Sequence, residues 1–195
     1  EVLVVDDNST DDTRAVLLEF QAKYPILRVL SLTRETLPGK KEALARGIAA
    51  ARHEFILVSD ADCRPAGKYW IRDMQAAIRG KTGIALGYSP YEKREGWLNL
   101  FIRYEAFYTA IQYISFALAG MPYMGVGRNL IYRKTLYQRV GGFQRHAHLA
   151  SGDDDLFVNE AATKTNTNVV MRSTAFVYSV PKRSWRSYYQ QKQRH

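Results

Sequence analysis

The feature that most restricts what this chain can fold into is a rhythm. Between Val2 and Tyr88, four apolar runs of strand length alternate with three helix-patterned segments. The runs are Val2 to Val5, Leu27 to Leu32, the stretch beginning at Phe55, and Gly83 to Tyr88. They are short, continuous and rich in β-branched or aliphatic residues, as strands covered on both faces are. Between them, Val16, Leu17 and Phe20 recur at helical spacing and are expected to face inward, in a segment capped by Ser9 or Thr10 and ending near Lys23. Ala43, Leu44, Ile48 and Ala51 share one face of a helix starting near Lys40, and Trp70, Met74, Ala77 and Ile78 form the apolar stripe of another over Lys68 to Arg79. Strands separated by helices predict a parallel sheet with right-handed crossovers.

In open α/β sheets ligands bind outside the carboxyl ends of the strands, so the residues at those ends carry the chemistry. The run from Phe55 stops at Asp60-Ala-Asp62, and Pro65 closes the segment. Two carboxylates side by side repel unless a cation lies between them, and a hard divalent ion with oxygen ligands is the usual solution. Mg²⁺ or Mn²⁺ carrying a substrate diphosphate fits; a polar turn, where Asp is common, is the alternative. Asp6 and Asp7 end the first strand, before any helix cap, where a nucleotide base or ribose can be hydrogen-bonded. Lys40 and Lys41 fall in the first turn of a helix, against the dipole preference for acids, and make either an anion seat or two surface lysines.

Past Tyr88 the pattern changes. Trp97 to Ala119 is one long helix with aromatics all round it, suited to burial on several sides or to a membrane surface. Gly127-Arg128-Asn129 introduces a strand from Leu130 to Tyr132, a short helix starts at Thr135, and Gly141-Gly142-Phe143 makes a turn. Asp153, Asp154 and Asp155 open another helix; one aspartate suffices for a cap, and crowding carboxylates raises at least one pKa, which suits a general base. Strands over Val169 to Met171 and Ala175 to Val180 precede a basic, aromatic terminal helix from Ser184 to His195.

A net charge of +9 and a pI near 9.7 favour anionic partners. Hydrophobic residues at 46% exclude disorder, and one cysteine, Cys63, excludes an intrachain disulfide and a cysteine metal cluster. The most hydrophobic stretch, Leu98 to Met121, contains Arg103 and Glu105 and so falls short of an uncharged spanning helix. No signal peptide is visible, and the chain opens directly on a strand, so a fragment lacking its first strand and helix is expected.

The order of these segments is more specific than any one of them. Val4-Val-Asp-Asp-Asn-Ser-Thr-Asp11, Pro38-Gly-Lys-Lys-Glu-Ala-Leu44, Asp60-Ala-Asp62, Gly127-Arg-Asn129 with Gly141-Gly-Phe143, Gly152-Asp-Asp-Asp155 and Gln191-Lys-Gln-Arg194 together resemble a family 2 glycosyltransferase. The resemblance covers nearly the whole chain. It implies the GT-A fold: an α/β, Rossmann-like, mostly parallel sheet flanked by helices, with a smaller mixed region on the acceptor side. One catalytic domain over 1–195 is implied, with residues 1 to about 90 as the nucleotide-sugar half and about 91 to 195 as the acceptor half.

By the resemblance, Asp6 and Asp7 contact the nucleoside, Lys40 lies near the nucleotide, Asp60 supports the nucleotide sugar and Asp62 holds the metal, Mg²⁺ or Mn²⁺. The general base is carried to Asp154, with Asp153 next. Asn129, Gln191 and Arg194 fall on the acceptor or product side. His195 stands where the family's final motif has Trp, which puts processivity in question. The implied reaction is inverting transfer from a nucleoside-diphosphate sugar, UDP favoured, to a glycan or lipid-linked acceptor. Its implied setting is the cytoplasm, at the cytoplasmic face of a membrane, with possible contact to the membrane surface. Two rivals fit less well: a nucleotidyltransferase acting on a sugar phosphate, for which no glycine-rich triphosphate loop is seen near Val5, and a basic nucleic-acid-binding module, whose ligand the carboxylates at three successive loops would repel. No nucleic-acid partner is therefore expected.

Overall fold

A computed structural model describes residues 1–33, 39–149 and 151–193. Eight strands and seven α-helices are assigned among them. In chain order these are β1 (Val2–Asp7), α1 (Thr13–Lys23), β2 (Leu27–Leu32), α2 (Lys41–Ala50), β3 (Phe55–Val58), β4 (Cys63–Pro65), α3 (Trp70–Gln75), β5 (Ile84–Gly87), α4 (Trp97–Leu118), β6 (Leu130–Arg133), α5 (Lys134–Arg139), α6 (Asp155–Ala161), β7 (Thr167–Val170), β8 (Val177–Ser179) and α7 (Trp185–Lys192).

The central sheet has four strands in the order β3-β6-β5-β7. β5 and β7 are parallel, while β6 runs antiparallel to both β3 and β5 and lies between them. β3 and β5 thus point the same way, as the strand–helix rhythm requires, but a strand from the second half of the chain separates them. β1 and β2 form a parallel pair with Val2 opposite Leu27, and β4 pairs with β8 antiparallel. β4 has no signature in the sequence: three residues ending in proline are too few to show a period.

Alternation along β5 and β6 sorts side chains to the two faces of the sheet. Ile84, Leu86, Leu130 and Tyr132 join one core with Tyr113 and Ile114 of α4 and Phe157 and Val158 of α6. Ala85 and Ile131 join the other, with Met74 of α3 and, just beyond that helix, Ile78. The sheet is therefore covered on both sides, which is why β5 and β6 read as unbroken apolar runs. α2 bridges toward the β1–β2 pair, and Gly47 is what allows the approach: a Cβ there would lie 3.0 Å from Val5 Cγ2.

Two local expectations change. α1 starts at Thr13, whose N–H is accepted by the Asp11 carboxylate at 3.1 Å, rather than at a Ser9 or Thr10 cap. Its apolar residues do not enter a core, since Val16 and Phe20 are exposed and no residue of α1 is fully buried. The helix packs chiefly on β2, and a single strand offers too little surface to bury an apolar stripe.

Candidate active site

Four element ends meet at one place: the residues just beyond β3, the residue before α2, the turn that leads into β6, and the start of α6. They line a cleft of about 310 Å³, which includes Lys40, Asp60, Arg128, Asp153 and Asp154. Its far wall is the inner face of α4, with Ile102, Glu105, Ala106 and Tyr113, and the end of α7, with Tyr188 and Gln191. A cleft of this size, apolar on one side and carrying convergent charges on the other, is the usual form of a small-ligand site.

Lys40 is the hinge of the charge arrangement. Its ammonium lies 2.9 Å from Asp60 Oδ1 and 3.2 Å from Asp153 Oδ2, so the tip of β3 and the start of α6 share one cation. The partnership is unequal. Burial works against the Lys40 charge, but Asp153, Asp60 and Asp154 together hold its pKa above the ordinary lysine value. Burial raises the Asp153 pKa, Asp154 adds to the rise, and Lys40 returns only part of it.

Asp153 and Asp154 are neighbours with different work. Asp154 accepts the Gly127 N–H at 2.5 Å through Oδ2 and the Asp155 N–H at 3.0 Å through Oδ1, capping α6 and fastening it to the turn before β6. Gly127 is glycine for this reason, since a Cβ would sit 3.2 Å from the same carboxylate. Gly152 sets up the turn with a φ of +83°, in the left-handed region that favours glycine. Asp153 carries no such backbone clamp from another element among the described residues; its carboxylate turns to Lys40 and the cleft.

Lys41, the next residue along, was marked in the sequence only as the second of a pair. It is fully buried and donates to three carbonyl oxygens of one loop: His146 at 2.7 Å, Leu149 at 2.6 Å and Ser151 at 2.8 Å. That loop runs directly into Gly152 and Asp153. The two lysines thus divide between the carboxylates of the site and the backbone that carries one of them.

The ligand atoms of Asp60, Asp62 and Cys63 lie within 4.8 Å of one another. Two carboxylates, with Asp62 exposed, make an oxygen donor set that suits Mg²⁺ or Mn²⁺. Cys63 Sγ is 3.2 Å from Ser179 Oγ, which in turn accepts Arg128 Nη1 at 2.9 Å. Arg128 lies over the Tyr91 ring, 4.9 Å from its centroid, and has no carboxylate partner among the described residues. Its side chain puts an unneutralised guanidinium close to the Asp62–Cys63 segment, a role the sequence did not single out.

The other expected residues are dispersed. Asn129 does not line the cleft: it is wholly buried, accepting from Trp70 Nε1 at 2.9 Å and donating to the carbonyls of Tyr88 and Ala175. It ties three elements together beneath the site, pressed against Gly87, where a Cβ would meet its amide nitrogen at 2.4 Å. Asp6, buried at the end of β1, accepts the Ser9 N–H at 3.0 Å, while Asp7 has a buried Oδ1 with no hydrogen-bond partner among the described residues. Neither of the two lines the cleft. Gln191 does line it; Arg194 lies outside the described residues.

Comparison with known proteins follows from this geometry. The family model described as glycosyl transferase family 2 matches residues 1–141. The beta-monoglucosyldiacylglycerol synthase of Nostoc sp. is 35% identical over 83 residues, covering 43% of this chain and 18% of the relative. Among solved structures, the mannosyltransferase PcManGT from Pyrobaculum calidifontis in complex with GDP-Man and Mn²⁺ gives a TM-score of 0.70 at 21% identity, over 96% of this chain and 50% of that one. S. aureus TarS 1–349 in complex with UDP-GlcNAc gives 0.66 at 21% identity, over 94% and 50%. Identities this low establish the fold, which is GT-A; the chain spans half the length of each of these structures and a smaller part of the synthase. With the matched stretch running from β1 through α5 and containing Lys40, Asp60, Asp62 and Arg128, the chain belongs to glycosyl transferase family 2.

Proposed function

We propose that the chain is the catalytic part of an inverting, metal-dependent glycosyltransferase that moves a sugar from a nucleoside-diphosphate sugar to a hydroxyl of a glycan or lipid-linked acceptor. The observation that carries this reading is the Lys40 ammonium shared between Asp60 and Asp153. It brings Asp60, one of a metal-type carboxylate pair, and a buried carboxylate of raised pKa to the same cleft.

Asp153 is the general base in this scheme, in place of Asp154. Both Asp154 oxygens already accept backbone N–H groups, which commits that carboxylate to the α6 cap and the turn before β6. Asp153, buried and facing the cleft beside Lys40, accepts the proton as the acceptor hydroxyl oxygen attacks the anomeric carbon. The bond from that carbon to the diphosphate oxygen breaks on the opposite face, its electron pair leaves with the diphosphate, and the centre inverts. Asp60 and Asp62 would hold the divalent ion, which when bound neutralises charge on the leaving diphosphate. Lys40 and Arg128 add fixed positive charge on that side of the cleft, in the manner of preorganised electrostatic stabilisation.

The buried, unpartnered Asp7 Oδ1 supports a hydrogen bond to the nucleoside, with Asp6 holding the turn beside it. Gln191 serves the acceptor end of the cleft, together with Arg194. A uridine donor is preferred in this reading, with Mn²⁺ or Mg²⁺; solved structures of the same fold carry GDP-Man with Mn²⁺ in one case and UDP-GlcNAc in another. A lipid-borne acceptor, as the name of the Nostoc synthase indicates for that relative, would bring the chain to the cytoplasmic face of a membrane.

Calorimetric titration with UDP, GDP and CDP, each with and without Mn²⁺, tests the reading. Metal-dependent binding of one nucleoside diphosphate, abolished by Asp62→Ala and kept by Asp153→Asn, is expected. Binding that ignores both the metal and Asp62 would overturn the donor assignment.

A further inference from the structure

α4 has two unlike faces. Its inner face lines the cleft through Ile102, Glu105, Ala106, Thr109, Ala110 and Tyr113. Its outer face, half a turn away, is Leu100, Tyr104, Phe107, Tyr108, Ile111 and Leu118, with Trp97 at the start of the helix. All seven are exposed, Trp97 at 82% and Leu118 at 72%. α7 extends the surface. Trp185 packs at a tilt against Phe101, their centroids 5.7 Å apart, and both Trp185 and Tyr189 are exposed. An apolar surface this continuous marks an interaction site, because single exposed hydrophobics are ordinary but contiguous ones are not.

The charge around it identifies the occupant. Tyr91 bridges to Ser179, so the segments 92–97 and 180–185 leave β8 side by side. They carry Lys93, Lys182 and Arg183, and α7 adds Arg186; all four are exposed and none has a carboxylate partner among the described residues. Glu92 is taken by Arg64 and Arg94, which leaves Glu95 as the exposed acid of these segments. Tryptophan and tyrosine interleaved with aliphatic residues, rimmed by free cations, is the composition that partitions to the headgroup level of a bilayer. α4 does not span it: no helix among the described residues is long and apolar enough to cross a membrane.

We infer that the outer face of α4, with Trp185 and Tyr189 of α7, lies on the surface of an anionic lipid bilayer. One helix diameter, about 10–12 Å, then separates that surface from the cleft on the other side of α4. This deepens the lipid-acceptor part of the reading above, while the docking itself is independent of donor chemistry.

The test uses the chain with vesicles of phosphatidylcholine alone and of phosphatidylcholine mixed with phosphatidylglycerol. Co-sedimentation is expected with the mixed vesicles, about tenfold or more stronger than with the neutral ones, and weakening with salt. The emission of Trp97 and Trp185 should shift to the blue on binding, and Trp97→Phe with Trp185→Phe should remove the shift, because Trp70 is already hydrogen-bonded inside to Asn129. Leu100→Gln with Tyr104→Gln, and separately Arg183→Gln with Arg186→Gln, should each weaken binding about tenfold while metal-dependent nucleotide binding stays unchanged. Equal binding to both vesicle types, or no binding to either, overturns the inference. So does concentration-dependent self-association abolished by Leu100→Gln with Tyr104→Gln, which would assign the face to a second copy of the chain. Loss of nucleotide binding with vesicle binding intact would instead overturn the donor reading alone.

Discussion

The molecule sets two acidic clusters a Lys40 side chain apart, and they are built on opposite principles. Asp60 and Asp62 follow a strand, stand partly in solvent, and have little beyond Lys40 and the Cys63 thiol to hold them. Asp153 and Asp154 open a helix behind a left-handed glycine, within a loop fastened by three hydrogen bonds from a buried ammonium. The first cluster leaves oxygen atoms open for a ligand; the second fixes the position of one carboxylate at the cost of another. The difference is between a site that waits for a cation and a site whose geometry is settled in advance, which is what a base within reach of one hydroxyl requires.

The largest break in this comparison is at Asp153. Asp153→Asn should lower turnover by about 10²–10⁴-fold, the usual worth of general-base assistance, with donor affinity retained. At neutral pH the change in stability should be small, because relief of the buried Asp153 charge is offset by the loss of an ion-pair partner for Lys40. The folded-state pKa of Asp153 lies above 3.8, the ordinary value of a free aspartate side chain. The native state therefore binds more protons between those values, and the stability this linkage contributes is present below 3.8 and lost as pH rises through the folded pKa. For the same reason the acid limb of the turnover profile should fall at a pH above the ordinary carboxylate range. A thermal melt and a pH–rate profile check both signs, and near-normal turnover of Asp153→Asn would remove the base from this residue.

Next in size is the open cluster. Asp62→Ala should abolish the metal-dependent part of nucleotide binding and leave the thermal midpoint unchanged, because this exposed carboxylate holds up no other element. A fall in stability like that of a core substitution would mean the two clusters are less different than their geometry indicates.

How much of this was legible beforehand follows the same division. The strand–helix rhythm gave β1, β2, β3 and β5, because a doubly covered strand declares itself in a run of apolar residues. The insertion of β6 between β3 and β5 could not be read, since it depends on a pairing across more than seventy residues and not on any local period. Asp60 and Asp153 were visible as carboxylates at element ends. That Asp154, and not Asp153, takes the backbone N–H groups of Gly127 and Asp155 was not, because no local pattern records which carboxylate a turn will engage. Asn129 shows another gap: its place in a recognisable motif says nothing of the buried three-way tie it makes among Trp70, Tyr88 and Ala175. Lys41 carried only one signal, a second cation in a helix's first turn, and a buried ammonium is sequence-silent until its three carbonyls are known.

Lys41 offers the next test. Lys41→Met keeps the length of the side chain but loses all three bonds to the loop. Misplacing a reacting group by about an ångström costs up to about 10²-fold, so turnover should drop by about ten- to a hundredfold with donor affinity little changed. Lys41→Arg should recover part of the loss, because a guanidinium can still donate to the same carbonyls. Parallel losses in donor binding and turnover would show a general defect of folding and not a displaced base.

The smallest effect expected on turnover is also the one that most sharpens the contrast between neighbours. Asp154→Ala removes a cap from α6 and leaves the Gly127 N–H without its acceptor. The lost cap costs about 1 kcal/mol and an unsatisfied buried donor about 1–3 kcal/mol, and these terms overlap because one side chain makes both bonds. Denaturant unfolding should show the midpoint lowered and the slope unchanged. Below its own unfolding transition the variant should keep a larger share of turnover than Asp153→Asn, since the proton acceptor is still present and only its footing has loosened. Two adjacent aspartates would then separate cleanly, one lost in the kinetics and the other in the melt. If Asp154→Ala were as inactive as Asp153→Asn yet as stable as the parent chain, the roles of the two would have to be exchanged.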